Sequence, residues 1–281
     1  GNVTGVNAGN STITATCGSV CAQCSVTVTN PYPYDFSAVN EDGVTIYYNI
    51  ISKVDKTCEV TYRDSSYGCY SEVVNIPSEV SFLGQNYSVT TIGKSAFESC
   101  FVSSVTIPTS VTLIDHYAFE RSWLESIIIP ESVKIIGSSA FSSCKSLTSI
   151  EIPNSIKVID SGVFSYCTSL TNVRIPNSVT SIGNSAFSNC SSLPTIEIPN
   201  SVTSIGEQAF SFCENLIEVT IPESVTSLGN LVFYLCPNIR SFYGKYASDD
   251  HRCLINNGKL IAFASNGLYE YSIHENVTNI G

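Results

Sequence analysis

Phenylalanine recurs along the chain at a nearly constant spacing, and this period constrains the fold more than any other feature. The seven positions stand 22, 22, 23, 23, 23 and 23 residues apart: Phe97, Phe119, Phe141, Phe164, Phe187, Phe210 and Phe233. Around each runs a pattern such as "IPNSVTSIGEQAFSFCENLIEVTI" at 198–221. A unit of this size cannot bury its apolar side chains alone, so its copies must stack on one another. The sequence therefore predicts a solenoid of seven 22–23-residue units, with "HENVTNIG" beginning an eighth.

Each unit predicts a short strand and a turn. In the segment 170–175, alternation directs Val173 and Ile175 into the core. Asn172 and Arg174 fall on the outer face, as in a half-buried strand. The segment "AFSNC" predicts a helical or 3-10 turn whose Phe and Cys enter the same core. The expected architecture is a β-rich solenoid, a parallel strand ladder closed by short turns.

A cysteine follows the phenylalanine by three residues in most units. The positions are Cys100, Cys144, Cys167, Cys190, Cys213 and Cys236, with Ser122 in the second unit. Equivalent positions in stacked coils lie about 4.8 Å apart, which is within reach of a disulfide. A solenoid holds their Cα–Cβ bonds parallel, however, whereas a disulfide needs them turned toward each other. We therefore expect a column of buried free thiols that act as small hydrophobic side chains.

The repeat resembles a known family. The segment "IPNSVTSIGNSAFSNCSSL" and its copies are similar to the BspA-like leucine-rich repeats of bacterial surface proteins, and the resemblance covers about residues 40–281. It implies a leucine-rich repeat solenoid and an extracellular or cell-surface location in bacteria, with any anchor outside this segment. It also implies adhesion to host proteins or other cells, and no shared set of catalytic residues.

Both ends of the array depart from the repeat. Residues 30–90 predict an N-terminal capping region that leads into the first repeat, because "GVTIYYNIISKVDKTCEVTYR" has the pattern of a β-hairpin. Residues 91–243 form the repeat array. Residues 244–272 predict a hairpin insertion that turns at "NNG", and 273–281 resume the repeat, so we expect the natural array to continue.

Residues 1–29 resemble the closing strands of a bacterial immunoglobulin-like group 2 domain and predict a C-terminal fragment of such a β domain. Cys17, Cys21 and Cys24 have the spacing that radical S-adenosylmethionine enzymes use for an iron–sulfur cluster. A disulfide and one spare thiol is the simpler interpretation in a β-hairpin of a secreted protein. The sequence leaves open whether Cys17, Cys21, Cys24, Cys58 and Cys69 form disulfides.

Composition and motifs argue against several functional classes. The formal charge of -11 disfavours nucleic acid, and no apolar run approaches the ~18 residues of a membrane span, so no membrane insertion is expected. No Gly-x-Ser-x-Gly elbow or metal-type histidine pair is present. Glu151, Arg174 and Glu197 occupy equivalent strand positions and predict an exposed cross-strand charge ladder. We expect a noncatalytic protein without a cofactor or metal.

A few exposed side chains are candidates for contact with a partner, namely Phe101, Trp123, Phe212, Tyr234, Leu235, Arg174 and Tyr243. The simplest alternative is that the aromatic ones fill gaps between loops. Three functions stay open: adhesion to host extracellular or cell-surface proteins, binding of glycans through Trp123 and Tyr243, and a structural spacer without its own ligand. Adhesion is the preferred hypothesis because of the family resemblance.

Overall fold

The structure, a computed structural model, describes residues 9–17, 20–28, 32–64, 70–264, 272 and 277–280, with the backbone alone at 9–28 and at Ser71. The N-terminal strands are β1 (Gly9–Cys17), β2 (Val20–Val28), β3 (Phe36–Val39), β4 (Thr45–Ser52), β5 (Thr57–Thr61), β6 (Ser71–Asn75), β7 (Glu79–Phe82) and β8 (Gln85–Ile92). The array contains β9 (Phe101–Thr106), β10 (Leu113–Ile114), β11 (Ser126–Ile128), β12 (Ile135–Ile136), β13 (Ser149–Glu151), β14 (Val158–Ile159), β15 (Asn172–Arg174), β16 (Ser181–Ile182), β17 (Ser204–Ile205), β18 (Glu218–Ile221), β19 (Ser227–Leu228) and β20 (Ser241–Gly244). The last strands are β21 (Cys253–Asn256), β22 (Lys259–Phe263) and β23 (Asn279–Ile280).

The strands of successive coils form two parallel ladders, which confirms the predicted solenoid. The Ile-x-Ile ladder contains β6–β9–β11, β13–β15 and β18–β20; Ile150 pairs with Val173 in it. The Ile-Gly ladder contains β8–β10–β12 and β14–β16–β17–β19; Ile159 pairs with Ile182 in it. The alternation within each strand places one side chain in the core and the next outside, as the sequence predicts.

The third side of each coil consists of tight turns, so the predicted helical or 3-10 turn is wrong: no residue that the structure describes lies in a helix. The amide of Phe187 donates to the Ala209 carbonyl of the next coil at 2.8 Å, while the Ser188 amide closes a turn on Ser185 at 3.1 Å. Inter-coil and intra-coil bonds alternate in this way because two residues per coil have a φ between 53° and 66°. They are Ser95, Ser99, Tyr117, Arg121, Ser139, Ser143, Gly162, Tyr166, Ser185, Asn189, Gln208, Phe212, Leu231 and Leu235.

The repeated phenylalanines form one continuous stack inside the solenoid. Their ring centroids are 5.0 to 5.6 Å apart, and neighbouring ring planes differ by no more than 17°. Tyr70 contacts Phe97 at the N-terminal end of the stack, and Phe242 contacts Phe233 at the other end. Each coil therefore buries a ring that it could not bury alone.

The cysteine column is buried, and its thiols are hydrogen-bonded rather than cross-linked. Cys144, Cys167, Cys190, Cys213 and Cys236 are free thiols, as predicted. Cys167 Sγ donates to the carbonyl oxygen of Phe141 at 3.2 Å, and its neighbours repeat this bond. Burial raises the pKa of the Cys144 and Cys190 thiols to about 12. These thiols therefore stay protonated at neutral pH and are poor nucleophiles.

The N-terminal region covers the first coil with antiparallel strands. Strands β4 and β5 form a hairpin, and β5 pairs in parallel with β8 of the first coil. Cys58 and Val60 on this hairpin are completely buried, and Cys58 is a free thiol. The hairpin β7–β8, which turns at Leu83 and Gly84, lengthens the first unit beyond the regular period.

At the C-terminal end, β21 and β22 form an antiparallel hairpin that turns at Asn257 and Gly258, and β23 pairs in parallel with β22. Near the N-terminus, β1 and β2 form a two-stranded sheet, in which Cys21 lies opposite Thr16. The side chains of Cys17, Cys21 and Cys24 and the whole of Cys69 lie outside the described residues, so their disulfide state stays open.

Candidate recognition surface

Phe101 and Trp123 form an exposed aromatic pair where the turns meet the Ile-x-Ile ladder. Their ring centroids are 5.2 Å apart in an edge-to-face arrangement. The two side chains are 55% and 60% exposed, whereas the phenylalanines of the internal stack are buried. The register of the coils brings the pair together, because the Trp123 amide donates to the Cys100 carbonyl at 3.1 Å. We call these two residues the aromatic edge pair.

Basic side chains lie beside the aromatic edge pair. Arg121, Trp123 and Lys145 line one shallow depression, whose remaining lining residues are serines. Arg121 lies 3.9 Å from a carboxylate oxygen of Glu98 and 3.6 Å from one of Glu120. Partial burial raises the pKa of the Glu120 carboxyl, against the opposing effect of Arg121. This edge therefore combines apolar area with two basic side chains, of which Arg121 is also paired with two carboxylates.

A second exposed group lies near the C-terminal end of the array. Phe212 and Tyr234 make an edge-to-face contact at 5.6 Å, and the Phe212 amide donates to the Tyr234 carbonyl at 2.7 Å. Tyr234 and Leu235 are about half exposed, and Phe212 is half-buried. Trp123 belongs to the second coil and Phe212 to the sixth, so at about 4.8 Å per coil the two groups are roughly 20 Å apart.

Arg174 and Tyr243 do not join either group. Arg174 forms an ion pair with Glu151 on the Ile-x-Ile ladder, both side chains being well exposed. Glu197 lines the same shallow depression as Arg174 without a described ion pair to it. Tyr243 is half-buried, and its ring lies 4.7 Å from that of His251. The residues predicted from the sequence therefore occupy separate parts of the surface.

The consensus serine of the Ile-Pro-x-Ser segment ties neighbouring coils together. Ser178 Oγ donates to the Ile156 carbonyl at 2.7 Å, and Ser201 Oγ donates to the Val179 carbonyl at 2.6 Å. In this column Ser132 Oγ is buried and has no hydrogen-bond partner within the described ranges. None of these contacts supplies a base that could activate a serine as a nucleophile.

The part of the chain that the structure describes has neither a cluster of metal ligands nor a membrane-spanning helix. No three His, Cys, Asp or Glu side chains in the described ranges are close enough to hold a metal ion. Over the same ranges, no helix has the length and apolar character that would carry it across a bilayer.

Two tyrosines that the sequence did not single out lie on the turn side of the array. Tyr117 is 38% exposed and Tyr166 is 50% exposed, and both line one surface depression. Tyr117 stands two positions before a stack phenylalanine and Tyr166 two positions after another. Because they occupy different positions in the repeat, aligning the units does not bring them together.

Comparison with known proteins identifies the repeat. The profile described as BspA type leucine-rich repeat region matches the chain in six copies, over residues 67–190, 134–247 and 159–281. No curated protein sequence matches significantly.

One solved structure shares the fold, and two others match with lower scores. The pneumococcal vaccine antigen PcpA is similar, with a TM-score of 0.56 and 20% identity over 88% of this chain and 61% of that one. The chain thus spans about three fifths of the PcpA chain. A leucine rich cell surface protein from Faecalibacterium prausnitzii A2-165 also matches, with a TM-score of 0.42 and 23% identity over 74% of this chain and 76% of that one. A leucine-rich repeat protein from Bacteroides ovatus ATCC 8483 matches with a TM-score of 0.42 and 24% identity over 88% and 79% of the two chains.

Proposed function

The chain belongs to the BspA type leucine-rich repeat family, and from this premise we propose that it is a noncatalytic recognition scaffold on the bacterial cell surface or secreted from the cell. Its partners are host extracellular or cell-surface proteins, and its role is adhesion. The regular stacking of coils gives a rigid, extended surface, which is what repeat proteins offer to a macromolecular ligand.

The aromatic edge pair is the observation that carries the proposal. Phe101 and Trp123 are more than half exposed although every ring of the internal stack is buried. Aromatic residues and arginine dominate the binding energy of protein interfaces, and Arg121 lines the depression beside Trp123. Lys145 lines it too, so this edge suits a partner with acidic groups near an apolar segment.

The group formed by Phe212, Tyr234 and Leu235 supports an extended partner. It presents a second apolar area roughly 20 Å along the array from the aromatic edge pair. A protein ligand that lies along the solenoid reaches both areas at once, which raises the overall affinity above that of either contact alone.

Binding to an array of purified host extracellular-matrix proteins tests this function, with neutral and acidic glycans on the same array. The wild type is compared with Trp123→Ala and with the control Ile128→Ala, which removes an 86% exposed apolar side chain from the Ile-x-Ile ladder. We expect saturable binding to at least one protein on the array. Trp123→Ala should weaken this binding about tenfold or more, whereas Ile128→Ala should leave it unchanged. High salt should weaken the binding of the wild type, because it screens the attraction between the partner and the charges of Arg121 and Lys145.

Other results would replace the proposal. Binding to a glycan alone, with quenching of Trp123 fluorescence, would make Trp123 a sugar platform. Absence of binding across the whole array would indicate a structural spacer that displays other domains.

A further inference from the structure

A furrow on the turn side of the array has the features of a small-molecule site. We call it the tyrosine furrow. Tyr117 and Tyr166 line it, and serine, glycine and asparagine supply the rest of its lining, which gives it a volume of about 450 Å³. The furrow is shallow and largely open to solvent, so a ligand in it would keep one face in water. The tyrosines belong to coils two steps apart, so they are separated by roughly 10 Å along the array. The furrow shares no lining residue with the depression beside Trp123.

Two largely buried serines contribute to the lining of the furrow. Ser142 and Ser165 follow the stack phenylalanines of adjacent coils and are only 9% and 8% exposed. Neither hydroxyl is a buried group without a partner, because among the described residues only the Ser132 hydroxyl is in that state. Farther along the same column, Ser188 and Ser211 form a hydrogen bond with each other, with 2.8 Å between their Oγ atoms. Both Ser142 and Ser165 line the furrow, where a serine hydroxyl can donate a hydrogen bond to a polar ligand and accept one from it.

The fold itself does not require tyrosine at these positions. Tyr117 and Tyr166 have φ angles of 59° and 60°, a region in which a bulky side chain is unfavourable. The equivalent positions hold Ser139 with a φ of 58° and Asn189 with a φ of 61°. Smaller residues therefore build the same turns, and the rings of the two tyrosines are free to serve another purpose.

We propose that the tyrosine furrow binds a short neutral oligosaccharide. Sugar hydroxyls both donate and accept hydrogen bonds, which matches the hydroxyls of Ser142 and Ser165. The C–H faces of sugar rings pack against aromatic rings, and the furrow has one tyrosine toward each end. No charged side chain lines it, so charged sugars gain nothing there. This site is independent of the proposed protein contact at Trp123 and adds a second class of ligand.

Isothermal titration calorimetry with neutral gluco-, manno- and galacto-oligosaccharides of three to six units tests the site, with sialylated and sulfated oligosaccharides as charged probes. Tyr117→Ser and Tyr166→Asn remove one ring each while installing the residue found at the equivalent turn. Ser142→Ala combined with Ser165→Ala removes two of the serine hydroxyls that line the furrow. Ser188→Ala is the matched control, because that hydroxyl already has a protein partner.

We expect saturable binding of at least one neutral oligosaccharide. Tyr117→Ser and Tyr166→Asn should each weaken it about tenfold, the double serine variant should weaken it severalfold, and Ser188→Ala should leave it unchanged. Three results would overturn the proposal: no binding of any neutral probe, equal binding by the tyrosine variants, or preference for the charged probes. None of these results would affect protein adhesion that depends on Trp123, because the two sites share no lining residue.

Discussion

The Cys190 thiol donates a hydrogen bond to the carbonyl oxygen of Phe164 in the preceding coil, with 3.2 Å between Sγ and O. Cys213 makes the same bond to Phe187 at 3.3 Å. The thiol thus fills a small apolar space and also gives a backbone carbonyl beside the phenylalanine stack a second donor, in addition to a backbone amide. These two roles explain why a cysteine recurs three residues after the phenylalanine.

Replacing Cys190 by alanine should lower the free energy of unfolding by about 1–2 kcal/mol, because it leaves a small cavity and removes one of the two hydrogen bonds to the Phe164 carbonyl, which still accepts from the Cys167 amide at 3.3 Å. Cys190→Ser should cost less than alanine, since Ser122 occupies the same position in the second unit and its hydroxyl lies 3.3 Å from Cys144 Sγ. Urea denaturation measures both variants. An alanine variant as stable as the wild type would show that the bond to Phe164 contributes nothing.

The buried thiols should make the protein less stable at high pH. Folding raises the pKa of Cys144 and Cys190 from about 9 to about 12, because burial disfavours the thiolate. The contribution of these protonated thiols to the free energy of unfolding is therefore complete below pH 9, and it is lost as the pH rises toward 12. Burial also raises the pKa of Cys167. The urea midpoint should stay level up to about pH 9 and fall from there to pH 11, and it should fall less steeply in Cys190→Ala. A flat profile would argue against protonated thiols in the fold.

The sequence predicts the core of this fold because each inward position recurs in every coil. The stack of Phe164, Phe187 and Phe210 and the thiol column follow from the period alone. The turns are harder to predict, because residues such as Gln208 and Leu231 have positive φ without the glycine or asparagine that signals it. Inter-coil hydrogen bonds impose this backbone, and a single unit does not contain them.

The middle of the phenylalanine stack should be very sensitive to truncation. Phe187 is completely buried and contacts Phe164 at 5.4 Å and Phe210 at 5.5 Å. Phe187→Ala should lower the free energy of unfolding by about 3–5 kcal/mol. Phe101→Ala, which removes the same ring from an exposed position, is the control and should change the stability little. Equal effects in a denaturation experiment would mean that the stack does not hold the coils together.

Glycine should relieve backbone strain at one of the turns. Gln208 has a φ of 55°, and Gly162 occupies the equivalent position with a φ of 66°. A left-handed backbone costs a non-glycine residue roughly 1 kcal/mol, so Gln208→Gly should raise the thermal midpoint despite the greater entropy of the unfolded chain. The comparison variant is Gly162→Gln, for which differential scanning calorimetry should show a lower midpoint. A lower midpoint for Gln208→Gly would contradict this explanation of the turns.

The candidate surface was only partly predictable. The sequence identifies Phe101 and Trp123 because they occupy the same position in adjacent units. Tyr243 meets His251 only because the C-terminal hairpin folds back on the array, and a repeat pattern carries no information about that contact. Tyr117 and Tyr166 converge through the stacking of coils rather than through a shared position in the repeat.

Trp123 should behave as a surface residue and not as part of the core. It is 60% exposed and is the sole tryptophan, so its fluorescence reports this site alone. We expect a red-shifted emission that acrylamide quenches readily, and Trp123→Ala should change the free energy of unfolding by less than about 1 kcal/mol. A blue-shifted, protected emission together with a large loss of stability would make Trp123 a packing residue. Protection that appears only when a protein ligand is added would locate the contact at this residue, because no other tryptophan contributes to the signal.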